Sequence, residues 1–410
     1  MGSSGIHRFR YVATAFVTLL FMGLIYAWSL FVEPIEADFG WDRTQTSLNF
    51  TLSMIFFSVG MLAAGAIERR FSTKVLMIAT GIIIGGGFVA ASLVSTLMGI
   101  YLTYGVVVSF GVGVGTDVVM AAALKWYPDK QGFASGGMLM GFGMGAMLLS
   151  PPVTMLLSAF TWRMTFVILG VVFVVVMVAV AFLMHVPPAD VAVALQAKVK
   201  ASSAASTRDY TASQMVRTKA FWLFFAWLIL VTSGGLGLIS QAVPAAQEVL
   251  VSTGMTPDEA VMLATVAMGG VSLCNGFGRL LNGIVWDKFG YRFSLTWVSV
   301  CFAASMGLCG IAMTFGSFPL IVVGFMLLGL AYGGNMSSMA AMSSGFFGTK
   351  HFGMNYAVAT LQMIPAAFIG PMLLASFQQG SGSYTSAFWA FLAIAIGAFA
   401  LSFLVKKPQD

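Results

Sequence analysis

Long apolar runs, each able to cross a bilayer, constrain this chain more than any other feature. One helical crossing needs about 20 apolar residues. Reading between charged or Pro/Gly-marked breaks gives twelve runs: 11–31, 48–67, 75–93, 98–124, 132–157, 164–186, 220–250, 261–285, 293–314, 318–344, 353–376 and 386–405. Only 8% of the 410 residues are charged and 59% are hydrophobic, whereas soluble domains carry roughly 25% charged residues. A soluble protein this apolar could not cover its surface, so lipid is the expected solvent. Apolar runs of this length read as bilayer-crossing helices, so the expected fold is an all-α membrane protein. Forty-six glycines suit close helix packing in lipid. The polar N-terminus, 1–10, runs straight into a full-length span, which is not the pattern of a cleaved signal peptide.

The cations test this parse. With the N-terminus inside, the cytoplasmic segments hold Arg8, Arg10, Arg69, Arg70, Lys74, Lys125, Lys130, Lys198, Lys200, Arg208, Arg217, Lys219, Lys288, Arg292, Lys350, Lys406 and Lys407. Arg43 and Arg163 fall outside, and Arg279 lies within a run. Cytoplasmic loops carry the Lys/Arg excess, so twelve spans with both termini cytoplasmic are expected. The net charge of +6 then reports topology and does not imply nucleic acid. Residues 187–219, Ala/Ser-rich and basic, read as a cytoplasmic linker between a six-helix bundle over 1–186 and another over 220–410.

The halves repeat. Gly283-Ile-Val-Trp-Asp287-Lys288-Phe-Gly290-Tyr-Arg292 joins runs eight and nine, and Gly65-Ala-Ile-Glu68-Arg69-Arg70-Phe-Ser-Thr-Lys74 stands at the matching place between runs two and three. Lys130-Gln-Gly132 and His351-Phe-Gly353 open runs five and eleven at a similar offset. Internal repeats of this kind build many secondary transporters. An acid and bases at a helix end can clamp neighbouring termini and release them as bundles rock; equally, they can simply set topology.

Arg279 is the only charge in 261–285. Its guanidinium cannot shed a proton, and a charge at mid-bilayer costs at least roughly 2.5–3.5 kcal/mol, so such residues usually mark a pathway. Ser272, Asn275, Arg279 and Asn282 follow at helical spacing and share one face. The planar fork of Arg279 suits a carboxylate, and Asn275, one turn away, could bond a second substrate oxygen. A structural arginine satisfied by backbone carbonyls is the plainer reading. Asp117 is the other buried charge, eight residues before Lys125, as Arg279 is eight before Asp287. At about 1.5 Å per residue both sit roughly 12 Å inside the cytoplasmic helix end. A carboxyl so placed suits a proton carrier; a structural partner for Arg279 is the other reading of Asp117. Glu33, just before Pro34, is a second and weaker proton candidate; its other reading is as a member of the exposed acidic cluster with Glu36, Asp38 and Asp42.

Other motifs exclude chemistry. Cys274, Cys301 and Cys309 fall in apolar runs without metal or redox spacing, and His7, His185 and His351 lie at helix ends or in tails, so neither a metal nor another cofactor is expected. The stripes Gly111/Gly113/Gly115 and Gly137/Gly141/Gly145 lie within membrane runs, where helix packing accounts for them. There is no ATP-binding GxxxxGK[ST] and no nucleophile–base pair, so the chain is expected not to be an enzyme.

The Gly283–Arg292 loop, recurring at half-chain spacing, resembles the major facilitator superfamily. Tyr26-Ala-Trp-Ser-Leu, Trp126-Tyr-Pro-Asp-Lys-Gln-Gly-Phe-Ala-Ser-Gly, Asn275-Gly-Phe-Gly-Arg279 and Gly353-Met-Asn355-Tyr356 are similar to its monocarboxylate transporter and oxalate/formate antiporter branch. The resemblance implies twelve transmembrane helices in two pseudo-symmetric six-helix bundles. It implies that Arg279 binds the substrate carboxylate, that Tyr26 and Tyr332 wall the site, and that Glu68, Arg69, Arg70, Asp287, Lys288 and Arg292 form gating loops. Oxalate-binding members carry a second cation, a lysine, in helix 11; that place is Met363 here, with Gln362 beside it. One cation does not balance a dianion in a low-dielectric cavity, which argues against oxalate. Many animal relatives place an acid where Asn275 stands, so the proton role falls to Asp117.

The expected function is a plasma-membrane symporter of a small monocarboxylate, lactate- or pyruvate-like, with a proton. Lipid surrounds it, and no obligate protein partner is implied. The near alternative is a carboxylate exchanger of the oxalate–formate type; a carboxylate sensor that transports nothing is more distant.

Overall fold

The computed structural model describes residues 3–68, 70–188, 191 and 209–408. Arg69, and with it Lys198, Lys200 and Arg208 of the linker, lies outside the described residues. Among the described residues the membrane-length elements are all helices: α1 Arg8–Ala27, α2 Leu48–Ile67, α3 Thr73–Leu93, α4 Leu97–Leu124, α5 Gln131–Ala159, α6 Trp162–Leu183, α7 Lys219–Ser252, α10 Phe318–Gly345, α11 Phe352–Ser381 and α12 Thr385–Leu404. The stretch Glu259–Phe315 holds two helices, α8 and α9, because Gly290 breaks it at φ 81°, ψ 172°. That backbone is open to glycine and closed to side chains with a Cβ. The repeat has Ser72 at the matching place, and Ser72 opens α3 as an extended N-cap bonded to Val75 N at 3.4 Å. The twelve-span, all-α expectation is therefore borne out.

Short polar residues start these helices. Asp42 and Gln45 form a reciprocal capping box ahead of α2, and Thr161 and Thr218 cap α6 and α7. Each side chain satisfies an N–H the first turn would otherwise leave orphaned. Inside α4, Tyr101–Val108 widens into a π-type turn, and the end of α1, Gly23–Ala27, tightens into a 3₁₀ turn carrying Tyr26.

The chain forms two compact units. The first contains Met1–Ala212 and Ser343–Thr360; the second contains Ser213–Met342 and Leu361–Asp410. The inner part of α11, Phe352–Thr360, thus packs with α2 and α4, and the helical backbone is interrupted at Leu361–Gln362.

Glycine sets the helix spacing within each unit. A Cβ at Gly113 of α4 would stand 2.0 Å from the Phe57 carbonyl oxygen of α2, and one at Gly60 of α2 would stand 2.1 Å from Phe110 O of α4. Gly141 and Gly145 of α5 meet Phe16 O and Leu20 O of α1 in the same way. The two glycine stripes are thus packing surfaces against different neighbours. The backbones touch where only glycine allows it, and in lipid such close packing substitutes for the hydrophobic effect.

The Trp126–Gly136 loop region ties down the start of α1. Arg8 Nε donates to Trp126 O at 2.7 Å, Arg8 pairs with Asp129, and its guanidinium lies 4.4 Å from the Tyr127 ring centroid. Tyr11 stacks on Trp126, whose Nε1 donates to His185 O at 2.7 Å. At the other end of α6, Arg163 donates to Ser92 O and Val94 O and pairs with Asp38.

Gly113→Val should lower stability by about 1–3 kcal/mol or more, as overpacking does. Gly86→Ala, where nothing lies within 4 Å, should be neutral. Thermal unfolding in detergent reads both.

Candidate functional site

The polar stripe of α8 is real and divides into two parts. Asn275 and Arg279 are 7% and 2% exposed, while Phe277 and Leu281 on the same helix are exposed. Arg279 Nε donates to Asn275 Oδ1 at 3.3 Å. The neighbouring α10 holds this pair in place. A Cβ at Gly333 would stand 2.0 Å from Asn275 O and 3.0 Å from Arg279 N, and one at Gly278 would stand 2.4 Å from Leu330 O. Backbone contact therefore fixes α8 against α10 at the level of the guanidinium. Tyr332, next to Gly333, is buried with its ring against Gly235 of α7, where a Cβ would approach Tyr332 Cδ2 to 2.3 Å. One turn on, Asn335 Nδ2 donates to Thr232 Oγ1 at 2.6 Å. Arg279, Asn275 and Tyr332 thus stand on one framework of α7, α8 and α10.

Asn282 shares the stripe but does different work. Its Nδ2 donates to Gly334 O at 2.8 Å, Ser338 Oγ at 2.8 Å and Ser337 Oγ at 3.2 Å, and its Oδ1 accepts from Ser294 Oγ at 2.7 Å. Its amide is saturated, so it welds α8, α9 and α10.

The first unit holds Tyr26 and Asp117. Tyr26 is half-buried, edge-on to Phe142 and near Phe50. Asp117 is fully buried on α4, and neither carboxyl oxygen has a hydrogen-bond partner among the described residues. Glu68 caps the end of α2. A Cβ at Gly353, in the first turn of α11, would stand 2.7 Å from Glu68 Oε2 and 2.8 Å from Asp117 Oδ2. Of the other loop residues, Asp287, Lys288, Arg292 and Arg70 are exposed, and Arg292 bonds Tyr291. Asp117 and Tyr26 belong to one compact unit and Arg279, Asn275 and Tyr332 to the other.

Three buried amides were missed as candidates. Among the described residues, Gln362, at the interruption of α11, is fully buried with neither amide atom bonded; Asn49 is the same on α2, and Asn335 Oδ1 meets no donor. Asn49 lies against Gly105 in the π-type turn of α4. The available signal was an amide inside an apolar run, where an unsatisfied polar group is costly.

The Major Facilitator Superfamily model matches residues 13–304 and again 242–410. The chain belongs to the Major Facilitator Superfamily. It is 23% identical over 404 residues to the oxalate:formate antiporter of Oxalobacter formigenes, covering 98% of this chain and 93% of that one. It is 21% identical over 406 residues to monocarboxylate transporter 2 of Rattus norvegicus, covering 95% and 80%. The proton:xylose symporter XylE superposes with a TM-score of 0.70 at 14% identity, covering 98% and 97% of the two chains, a likeness of fold. The chain is thus a multi-pass transporter of this superfamily, related to the oxalate/formate and monocarboxylate branch.

Asn282→Leu removes a hub with four partners and should cost about 1–3 kcal/mol for each buried group left unsatisfied. A lowered unfolding temperature checks this, while Asn282→Ser should recover part of the loss.

Proposed function

We propose that this transporter carries a small monocarboxylate, lactate- or pyruvate-like, together with a proton across the plasma membrane. The carrying observation is Arg279: a guanidinium 2% exposed, steadied at Nε by Asn275 and seated on the α8–α10 contact. The fork formed by its two terminal nitrogens matches a carboxylate in spacing. In this reading Asn275 positions the fork, and Tyr332 and Tyr26 wall the substrate. Met363, where a second cation would serve a dianion, is buried and apolar, which favours a singly charged guest.

Proton coupling follows from charge. Moving an anion against 100 mV costs about 2.3 kcal/mol, and a proton travelling with it removes that cost. Asp117 is the proton carrier, since its buried carboxyl has no hydrogen-bond partner among the described residues. The bundles 1–186 and 220–410, joined by the cytoplasmic linker 187–219 with both termini inside, rock to give alternating access. The loops at Glu68–Arg70 and Asp287–Arg292 act as gates. The similarity to the oxalate:formate antiporter favours a second reading, carboxylate exchange.

Arg279→Ala should lose about 2–5 kcal/mol of substrate binding, a drop of well over tenfold. Labelled lactate binding and uptake in proteoliposomes measure it, and unchanged uptake would sink the receptor role. Asp117→Asn should abolish pH-driven accumulation while sparing binding; accumulation that survives moves the proton elsewhere. Oxalate should not compete with lactate, whereas strong competition with proton-free counterflow would favour the exchanger.

A further inference from the structure

Asn335 is a buried amide whose two ends are used unequally. It stands on α10, one turn beyond Tyr332 and two residues beyond Gly333, and it is fully buried. Its Nδ2 donates to Thr232 Oγ1 of α7 at 2.6 Å. Its Oδ1 has no hydrogen-bond partner among the described residues. Gln362 and Asn49 have neither end engaged among those residues, so no bond orients their amides. At Asn335 the threonine holds the donor end, and what is left over is an acceptor.

That acceptor sits close to the proposed carboxylate receptor, in the same compact unit as Arg279 and Asn275. Tyr332 and Asn335 are three apart on α10, as Thr232 and Gly235 are on α7, so each pair shares a helix face. The two faces meet, with the Tyr332 ring at Gly235 and the Asn335 amide at Thr232. Gly333, between Tyr332 and Asn335, carries the contact with α8, where a Cβ would stand 2.0 Å from Asn275 O and 3.0 Å from Arg279 N. At about 1.5 Å per residue, Asn335 lies only about 3 Å further along α10 than that contact. The Arg279 backbone and the Asn335 amide are therefore set at nearly one depth by neighbouring residues of a single helix.

An amide oxygen accepts and never donates. A carboxylate brings it no hydrogen, and a keto oxygen brings it only lone pairs. A hydroxyl brings the missing donor. A site built to bond a hydroxyl rejects the analogue without one, because its own buried polar atom is then left unpaired. We propose that Asn335 is a specificity-determining residue whose Oδ1 accepts from the 2-hydroxyl of a 2-hydroxy acid held by its carboxylate on Arg279. The transporter then prefers lactate-like 2-hydroxy acids over pyruvate-like 2-oxo acids and over unsubstituted acids such as propionate. The inference rests on the carboxylate role given to Arg279 above and narrows the guest named there.

Uptake of labelled pyruvate into proteoliposomes holding the full chain, at fixed pH without a gradient, is competed by unlabelled lactate, pyruvate and propionate. In the native chain lactate should inhibit at a concentration about tenfold or more below that of the other two, as one added hydrogen bond gives. N335L should raise the lactate constant about tenfold more than the pyruvate and propionate constants, so that the preference collapses. T232V removes the bond that turns the donor end away, and the freed amide can present Nδ2 to a keto oxygen, so the ratio should move toward pyruvate. This conservative variant reads the same ratio should N335L fail to fold. The proposal is overturned if the native chain does not distinguish lactate from pyruvate, or if both variants keep the native ratio. It is equally overturned if N335L weakens all three acids alike, which is the mark of a bond that only joins α7 to α10. Arg279→Ala separates the two levels. If that variant loses all three acids while N335L keeps the native ratio, the carboxylate reading stands and this inference alone falls. If Arg279→Ala takes up the acids normally, the carboxylate reading fails and this inference falls with it.

Discussion

Backbone-to-backbone contact through glycine is the interaction on which the rest of this structure depends. Helices in lipid gain little from burying apolar side chains, because the tails around them are as apolar as leucine. Close approach and interhelical hydrogen bonds must do the holding. In the second unit that contact runs through Gly278, Gly329 and Gly333 between α8 and α10. It fixes the height and rotation of α8, and Arg279, Asn275 and Tyr332 inherit their positions from it. In the first unit, Gly60 and Gly113 join α2 to α4, and Gly65 and Gly353 bring α11 down onto α2. The same device therefore sets both the guanidinium and the carboxyl pair.

Polar groups in this framework fall into two kinds. Some are saturated: Asn282 with its serines, Trp227 Nε1 on Ser299 Oγ, and Arg8 on the α4–α5 loop. These are structural, since a satisfied buried amide rigidifies without offering anything to a guest. Others keep buried atoms with no hydrogen-bond partner among the described residues: Asp117, Asn335, Asn49 and Gln362. Leaving such groups unmet costs stability, and a transporter has reason to carry that cost where a proton or substrate completes the bonding during the cycle.

Much of this was legible along the chain. The twelve spans and the all-helical fold followed from apolar length and cation placement, because lipid enforces both residue by residue. Arg279 stood out because it is a charge alone in an apolar run. The spacing of Ser272, Asn275, Arg279 and Asn282 showed that they share a face, yet it could not show that Asn282 is consumed by Ser294, Ser337 and Ser338. Those serines lie on other helices. Glu68 read as a gating-loop acid and Asp117 as a separate proton candidate, with nothing in the sequence to join residues 49 positions apart.

The sequence by itself determined the solvent of this protein, its number of crossings, its helical fold and its two buried charges. These are local consequences of hydropathy and charge, readable without partners. Only the tertiary structure decided which polar residues are spent on packing and which are kept in reserve, and that Glu68, Asp117 and Gly353 converge. The reason is physical: whether a buried polar atom is satisfied depends on what stands within hydrogen-bonding distance of it, and in a helical bundle those neighbours come from distant parts of the chain.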